Sequence, residues 1–232
     1  IPLAKQFAER MRLVERLMAS GDVDSALRLA LRLGASDPNQ RAKKDYPLRL
    51  PGMRLSLDFN ISSSGSAPII AEGSFFNLHK QYNDLAERLE RDGDFKRAAY
   101  IRAQLQGYHL AAVETLARGE FYLDAAKLAV DAKLPPVHAI ELFYKAGEQD
   151  TALALAKRAE CFDQLAERSR KKDPEFHAYV LRAWTDRLIE TGQPLRALQV
   201  TDALAQEPEA DAALLAKRLN WIDMALDDAP SG

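Results

Sequence analysis

Histidine and cysteine, the side chains that most often act in catalysis and metal binding, are few in this sequence and far apart. The single cysteine, Cys161, has no second cysteine with which to form a disulfide bond or share a metal ion. No histidine stands in an HExxH or similar ligand spacing; the four are His79, His109, His138 and His177. We expect the histidines to lie at the surface or at its boundary, and Cys161 to be a buried small apolar residue.

Serine and glycine also lack the patterns that accompany catalysis. The sequence contains no GxSxG motif, and no glycine-rich loop precedes a helix as it does in a phosphate-binding site. The carboxylates fall on polar helix faces, as they do in any solvated helix. The sequence therefore predicts a chain that is not an enzyme and that holds no cofactor and no metal ion.

One cluster of cations lies within five residues of the chain. It consists of Arg168, Arg170, Lys171 and Lys172, and it lies at the end of a short helix predicted from Phe162 to Arg170. Cations at the end of a helix stabilise the negative end of its dipole, which gives the cluster a structural role. The alternative is contact with an acidic partner or a phosphate group, and both interpretations stay open from the sequence.

A predicted β-strand over residues 53–61 is the second candidate surface. Apolar and polar side chains alternate there with a strict period of two, which is typical of a strand with one buried face. The apolar members are Met53, Leu55, Leu57, Phe59 and Ile61. A lone strand leaves its backbone groups unpaired, so it needs a partner. That partner is Tyr46–Leu50 or Ile69–Glu72 within the same insertion, or another chain that adds a strand.

The last predicted helix, from about Pro208, is the third candidate surface. A stripe at helical spacing gives it one apolar face, made of Leu215, Leu219, Ile222 and Leu226. Trp221 lies well to one side of this stripe, beside Leu214 and Ala225. Either this second flank is buried against the preceding hairpin, or it presents an apolar end to a missing repeat or a partner.

A short phrase repeated along the chain predicts the elements that position these residues. Glycine is followed five residues later by alanine at four places, which are Gly21–Ala26, Gly93–Ala98, Gly147–Ala152 and Gly192–Ala197. Gly119 is followed by Ala125, one residue further on. Glycine can adopt positive φ at the end of one helix, and alanine on the inward face lets two antiparallel helices approach closely. The phrase therefore predicts helical hairpins.

The predicted fold is all-α, an α-solenoid of about five helical hairpins in a right-handed superhelix, with a small insertion that contains a β-strand. Residues 1–34 form the first hairpin, and residues 35–74 are an insertion rich in proline, glycine and serine. Residues 75–227 form the stacked hairpins, and the polar residues 228–232 are a disordered tail. The predicted helix from Pro2 to Ser20 alternates charged and apolar residues, so we expect neither a signal peptide nor a membrane span. Because the chain begins at Ile1, two origins stay open, a fragment of a longer protein and a processed product.

The repeated phrase resembles the helical-hairpin repeats of the tetratricopeptide-like superfamily. The passage from Ala139 to Ala159, AIELFYKAGEQDTALALAKRA, is more similar to the α-solenoid repeats of coat and transport proteins. The spacing differs from the regular period of true tetratricopeptide repeats, and their tryptophan and proline signature is not reproduced. The resemblance implies a scaffold that holds protein partners.

Charge and composition narrow the classes of partner. The formal net charge is −2 with 28% charged residues, so no overall field attracts nucleic acid or an anionic membrane. A lone cysteine and an Ala-, Leu- and Arg-rich composition favour the bacterial cytoplasm. We expect a non-catalytic scaffold or adaptor that binds protein by strand addition at residues 53–61 or through the C-terminal helix. A small-ligand sensor or regulatory domain of a larger protein is the alternative, and a nucleic-acid-binding solenoid is the third.

Overall fold

Helices make up all the regular structure of the residues that can be described. The computed structural model describes residues 3–30, 72–205 and 212–227, and the side chains of residues 9–30, 79–202 and 216–223. Within these ranges there is no β-strand, in agreement with the predicted all-α class. The predicted strand at residues 53–61 lies outside the described residues.

The chain divides into two compact units, Ile1–Leu134 and Pro135–Gly232. The first contains α1 (Leu3–Ser20), α2 (Val23–Leu29), α3 (Glu72–Arg91), α4 (Phe95–Tyr100), a π-helical turn (Ile101–Leu105), α5 (His109–Arg118) and α6 (Tyr122–Asp131). The second contains α7 (Pro136–Lys145), α8 (Gln149–Ala159), α9 (Phe162–Ser169), α10 (Pro174–Glu190), α11 (Pro194–Ala205) and α12 (Ala212–Asp227).

Helices pack against their neighbours in sequence within each unit. The pairs include α1 with α2, α3 with α4, α5 with α6, α7 with α8 and α10 with α11. This pairing is compatible with the predicted helical repeat. The solenoid arrangement, its handedness and the expected division at residues 34, 74 and 227 stay predictions.

The predicted hairpin phrase is confirmed at its four regular positions. The four glycines have φ between +70° and +82°, and each alanine five residues later is fully buried. At the α3–α4 turn, the Gly93 N–H donates to the Glu90 carbonyl at 3.0 Å and the Asp94 N–H donates to the Leu89 carbonyl at 2.7 Å. These two bonds satisfy the last carbonyls of α3 in the manner of a Schellman motif.

Asp94 also begins the next helix. Its side chain accepts a hydrogen bond from the Arg97 N–H at 3.2 Å, and its carbonyl accepts one from the Ala98 N–H at 3.1 Å. One residue therefore ends α3 and caps α4. The capping residue directly follows the glycine, so the alanine five residues after the glycine lies in the first turn of the next helix. This geometry explains the five-residue spacing of the phrase.

The turn between α5 and α6 corrects the sequence interpretation of Gly119. Its φ is −84°, and the left-handed residue is Glu120 with φ of +62°. Counted from Glu120, the buried Ala125 again follows after five residues, so the register of the turn is the same. Glycine is required at position 119 because a Cβ there would lie 2.6 Å from the Cβ and Cγ of Phe95.

Apolar side chains from consecutive hairpins form the core of the first unit. The cluster contains Leu27, Tyr82, Leu85, Ala86, Leu89, Ala98, Ile101 and Leu105. Met11, Met18 and Val23 pack against it from the first hairpin and remain partly exposed. Burial of this surface provides most of the driving force that holds α1 and α2 against α3 and α4.

Candidate protein-binding surfaces

A polar seam lies between α3, the π-helical turn and α5 in the first unit. We define it as His79, Asn83, Glu90, Arg102, Gln106, Tyr108, Thr115 and Arg118. The Gln106 N–H donates to the carbonyl of Ile101 at 3.1 Å, which is the i→i+5 bond of a π-helix. Because this turn holds one residue more than an α-helical turn, it brings Arg102 and Gln106 towards α3.

Glu90 is the centre of one half of the seam. Its Oε1 atom accepts hydrogen bonds from the Arg102 guanidinium, from Thr115 Oγ1 at 2.9 Å and from Arg118 Nη2 at 3.0 Å. Thr115 is fully buried, and the Arg102 and Glu90 side chains are largely buried. Burial lowers the pKa of Arg102, and the positive charge of Arg118 lowers it further. These side chains include no activated nucleophile. Their hydrogen bonds connect α3 to the π-helical turn and to α5.

Neutral hydrogen bonds form the other half of the seam. His79 Nε2 lies 2.7 Å from the Tyr108 hydroxyl, and Gln106 Nε2 donates to Asn83 Oδ1 at 2.7 Å. The Oε1 atom of Gln106 is buried and has no hydrogen-bond partner among the described residues. Sequence reasoning missed the seam, although His79, Asn83 and Glu90 recur at intervals of four and seven residues on one face of α3.

An open groove of about 410 Å³ lies between α1 and α3. Its lining consists of Glu15, Met18, Ala19, Gln81, Asp84, Leu85, Arg88 and Arg91. Four polar α3 residues follow a 3, 4, 3 spacing at positions 81, 84, 88 and 91, so they form one straight row along the helix, and Leu85 lies beside this row. This row lies on the side of α3 opposite the polar seam.

The groove combines free cations with an apolar floor. Arg88 and Arg91 are exposed, and within the described ranges neither side chain makes a hydrogen bond or an ion pair. Gln81 donates to Glu15 Oε1 at 3.1 Å, while its own Oε1 is buried without a described partner. Met18 and Leu85 supply apolar surface between these polar groups. The groove can therefore accept a segment that carries both carboxylates and apolar side chains.

A smaller cavity of about 160 Å³ in the second unit has no comparable free charge. Among the residues that line it are Glu160, Trp184, Arg187 and Arg196. Arg187 Nη2 donates to Glu160 Oε1 at 2.6 Å and forms a second ion pair with Glu190, and Arg196 lies over the ring of Trp184. The pKa of Arg187 is raised, chiefly by its hydrogen bond to Glu160. Its cations already have partners within the chain.

All four cations of the basic cluster are exposed, and Arg168 is the one that contacts other described side chains. Arg168 Nε lies 3.3 Å from Glu141 Oε2, and its Nη2 lies 3.5 Å from His138 Nδ1. Arg170, Lys171 and Lys172 are exposed and follow the last residue of α9, Ser169. The cluster lies at the predicted helix end, where it complements the dipole of α9. Binding of an acidic partner there stays a prediction.

The structure buries the Trp221 flank of α12. Trp221 is 6% exposed and packs with Leu188 and Ala197. Of the two alternatives for this flank, the structure shows burial against the preceding hairpin, α10–α11, whereas Leu219 and Ile222 of the predicted stripe are 67% and 41% exposed. Trp221 is thus covered by the chain itself, and the open apolar surface lies on the neighbouring side of the helix. The side chain of Leu214 lies outside the described residues, as do Met53, Leu55, Leu57, Phe59 and Ile61.

The predicted environments of histidine and cysteine are confirmed. All four histidines are half-buried, and Cys161 is buried, which raises the pKa of its thiol. Within the described ranges, no group of three or more His, Cys, Asp or Glu side chains could hold a metal ion. None of the described helices combines the length and the apolar character needed to cross a membrane.

A scan against protein-family models and searches of curated proteins and solved structures found no significant match to this chain.

Proposed function

We propose that the protein is a non-catalytic interaction module whose α1–α3 groove binds an acidic, partly apolar segment of a protein partner. The observation that carries this proposal is the pair of exposed guanidinium groups, Arg88 and Arg91, beside the apolar floor of Met18 and Leu85. Arginine is enriched at protein interfaces and binds carboxylates through two parallel hydrogen bonds. Glu15 and Asp84 also line the groove, but within the described residues no carboxylate forms an ion pair with either guanidinium, so both can bind the acids of a partner.

Comparison with the smaller cavity of the second unit supports the α1–α3 groove as the binding site for an acidic segment. Arg187 already has two carboxylate partners, so an acidic ligand there would have to displace them. An acidic ligand of Arg88 and Arg91 would not have to displace a carboxylate from an ion pair within the described residues.

The helical architecture also supports a role in binding other proteins. Hairpins that pack on their sequence neighbours form repeat proteins, whose extended surfaces typically hold other proteins. The finer proposal is a right-handed α-solenoid of the tetratricopeptide-like superfamily in the bacterial cytoplasm. Its support is the repeated turn and the composition rather than any matched relative.

Selection from a displayed library of random 15-residue peptides tests the groove. The wild-type chain is the target, and a chain with both Arg88→Glu and Arg91→Glu is the counter-target. We expect the selected peptides to be enriched in Asp, Glu and apolar residues. Each exposed ion pair contributes about 0.2–1 kcal/mol, so reversing two charges is expected to weaken binding about tenfold or more.

Lys127→Glu is the control for a single charge reversal and is compared with Arg88→Glu alone, because Lys127 is exposed in the same unit, outside the groove, and the two single substitutions change the charge equally. Fluorescence anisotropy at several salt concentrations measures the affinities, and wild-type binding is expected to weaken as salt rises. The proposal is wrong if the selected peptides bind the double variant as tightly as they bind the wild type.

A small-ligand sensor is the second candidate, since a volume of about 410 Å³ lies within the range of small-molecule sites. A metabolite that binds the native chain must raise its unfolding temperature. A metabolite that reproducibly raises the unfolding temperature of the wild type but not of Arg88→Glu would favour the sensor, provided that the peptide library yields no binders. The nucleic-acid alternative predicts binding that falls steeply with salt, and the balanced charge of the chain disfavours it.

A further inference from the structure

The two ends of the α1–α3 groove carry opposite charges. Arg88 and Arg91 lie in the last turn of α3, while Asp84 lies one turn before Arg88. Glu15 of α1 lies beside the Asp84 end, because Gln81 Nε2 donates to its Oε1 atom at 3.1 Å. The groove therefore has two carboxylates at one end and two guanidinium groups at the other, and the charges of its lining residues cancel.

Helix geometry sets the distance between the two charged ends. Positions 81 and 84 are centred about seven residues before positions 88 and 91, and a helix rises by about 1.5 Å per residue. The ends are therefore separated by roughly 10 Å along α3. Leu85 lies between these two levels and belongs to the apolar floor of the groove. A ligand that spans the groove meets carboxylates, apolar surface and guanidinium groups in that order.

The dipole of α3 accounts for the basic end of the groove but not for the acidic end. Cations in the last turn of a helix stabilise the negative end of its dipole, which gives Arg88 and Arg91 a structural role as well. Asp84 and Glu15 lie more than one turn from the ends of their helices, where this effect has faded. Asp84 is exposed and forms no hydrogen bond or ion pair within the described residues. Its carboxylate is thus as free to bind a ligand as the two arginines are.

We propose that the partner segment is dipolar, with acids that bind Arg88 and Arg91 and a Lys or Arg side chain that binds Asp84 and Glu15. This inference rests on the proposed function, since it adds a second charge to the ligand of the same groove. A purely acidic segment would place its acids roughly 10 Å from Asp84 and Glu15, a distance comparable to the Debye length, so repulsion would be only partly screened. A cation at that end replaces the repulsion by attraction.

Removal of charge at the acidic end has effects of opposite sign on the two kinds of ligand. Asp84→Asn is expected to weaken binding of a dipolar peptide about twofold to fivefold, because it removes one exposed ion pair. The same substitution would strengthen binding of a purely acidic peptide, because it removes a repulsion. Glu15→Gln should act in the same direction as Asp84→Asn, and Asp84→Glu should bind as the wild type does, because it keeps the charge.

The peptides selected on the wild-type chain are the probes for this test. We expect them to carry a Lys or Arg at a constant separation from their acids, about three residues in an extended segment or seven in a helix. Replacing that cation by glutamine should weaken binding to the wild type about twofold to fivefold in fluorescence anisotropy. It should have little effect on the double variant with Asp84→Asn and Glu15→Gln, because the groove then has no carboxylate for the cation to bind.

Asp131→Asn is the control for loss of one negative charge, because Asp131 is exposed in the same unit and lies outside the groove. This variant should bind the peptides as the wild type does, and equal unfolding temperatures of all variants exclude misfolding as the cause of weaker binding.

Two outcomes would overturn the dipolar ligand while leaving the proposed function in place. The first is a set of peptides that depend on Arg88 and Arg91 but share no cation at a constant separation. The second is a set of such peptides that bind Asp84→Asn as tightly as the wild type, or more tightly. Peptides that bind equally well after both Arg88→Glu and Arg91→Glu would instead refute the proposed function and the dipolar ligand together.

Discussion

Gly119 and Gly147 occupy the same type of turn, yet alanine is expected to destabilise them for different physical reasons. Gly147 has φ of +81°, and a Cβ added there would have no atom within 4 Å. Gly119 has φ of −84°, which any residue adopts, but its Cβ would lie 2.6 Å from the Cβ and Cγ of Phe95. Comparing Gly119→Ala with Gly147→Ala therefore separates the cost of steric overlap from the cost of backbone strain.

The two costs follow from these geometries. The left-handed conformation costs an L-residue about 1–2 kcal/mol, and the lower entropy of the unfolded chain returns about 0.4–1 kcal/mol. Gly147→Ala is therefore expected to lower the free energy of unfolding by about 1 kcal/mol. Overpacking costs about 1–3 kcal/mol, and the Cβ of Phe95 cannot rotate away, so Gly119→Ala is expected to cost about 2 kcal/mol.

A double-mutant cycle with Phe95→Ala measures the difference. Urea unfolding followed by circular dichroism gives the free energies. Removal of the Phe95 ring relieves the contacts with Cγ and Cδ2, so Gly119→Ala should cost about 0.5–1 kcal/mol less in that background. Gly147→Ala should cost the same in both backgrounds, because nothing links it to Phe95.

Two results would refute this reasoning. The first is a zero coupling energy between positions 119 and 95, which would show that the overlap is relieved without cost. The second is a Gly147→Asn variant that is less stable than Gly147→Ala, because asparagine tolerates the left-handed region better than alanine does.

Two further predictions concern α12 and the pH dependence of stability. Trp221 is buried and Leu219 is exposed, so Trp221→Ala is expected to lower the free energy of unfolding by about 3 kcal/mol, and Leu219→Ala should change it by less than about 0.5 kcal/mol. Equal losses in urea unfolding would contradict the observed burial. Burial lowers the pKa of His109 below the unfolded value of about 6.5, so the unfolded chain binds the proton first and stability is lost as pH falls below about 6.5. His109→Gln should flatten this loss in unfolding temperatures measured from pH 7.5 to 5.5, and an unchanged slope would exclude His109 as its source.

The hairpins were predictable because the turn is a local structure. Gly93 supplies the positive φ, the residue after it caps the next helix, and Ala98 must then fall on the buried face, so sequence spacing alone specifies the element. The shifted turn at Gly119 was not predictable. Glutamate at position 120 gives no sequence signal of positive φ, and the contact that requires glycine at position 119 comes from Phe95, which lies in another helix.

Hydrophobic periodicity alone could not decide which flank of α12 is buried, and it did not predict the polar seam. Two flanks of α12 carry apolar residues, and which flank is buried depends on Leu188 and Ala197 in other helices. The sequence left open whether the Trp221 flank is buried against the preceding hairpin, and the structure buries it there while Leu219 and Ile222 stay exposed. The seam depends on a π-helical turn, for which residues 101–105 give no distinctive pattern.

The position of α3 between the seam and the groove leads to the last prediction, which rests on the proposed function. Asn83 and Glu90 face the seam, while Arg88 and Arg91 lie on the opposite side of the same helix. Glu90 holds α3 through three hydrogen bonds, so loss of its charge should shift the groove without changing the charges in it. Glu90→Gln is expected to lower the free energy of unfolding by about 2–3 kcal/mol, because it leaves the buried Arg102 without its anion.

The same substitution should weaken binding of the selected acidic peptides while leaving the salt dependence of their affinity unchanged. Arg88→Glu, in contrast, should weaken both, because it removes an ion pair with the peptide. Asp131→Asn is the matched control, since Asp131 is exposed in the same unit, outside the seam and the groove, and its substitution removes one negative charge in the same way. A Glu90→Gln variant that binds the peptides as tightly as the wild type would show that the seam does not position the groove. A steeper salt dependence in that variant would mean that the charge of Glu90 repels the acidic peptide, because a purely positional effect leaves the electrostatic attraction of Arg88 and Arg91 unchanged.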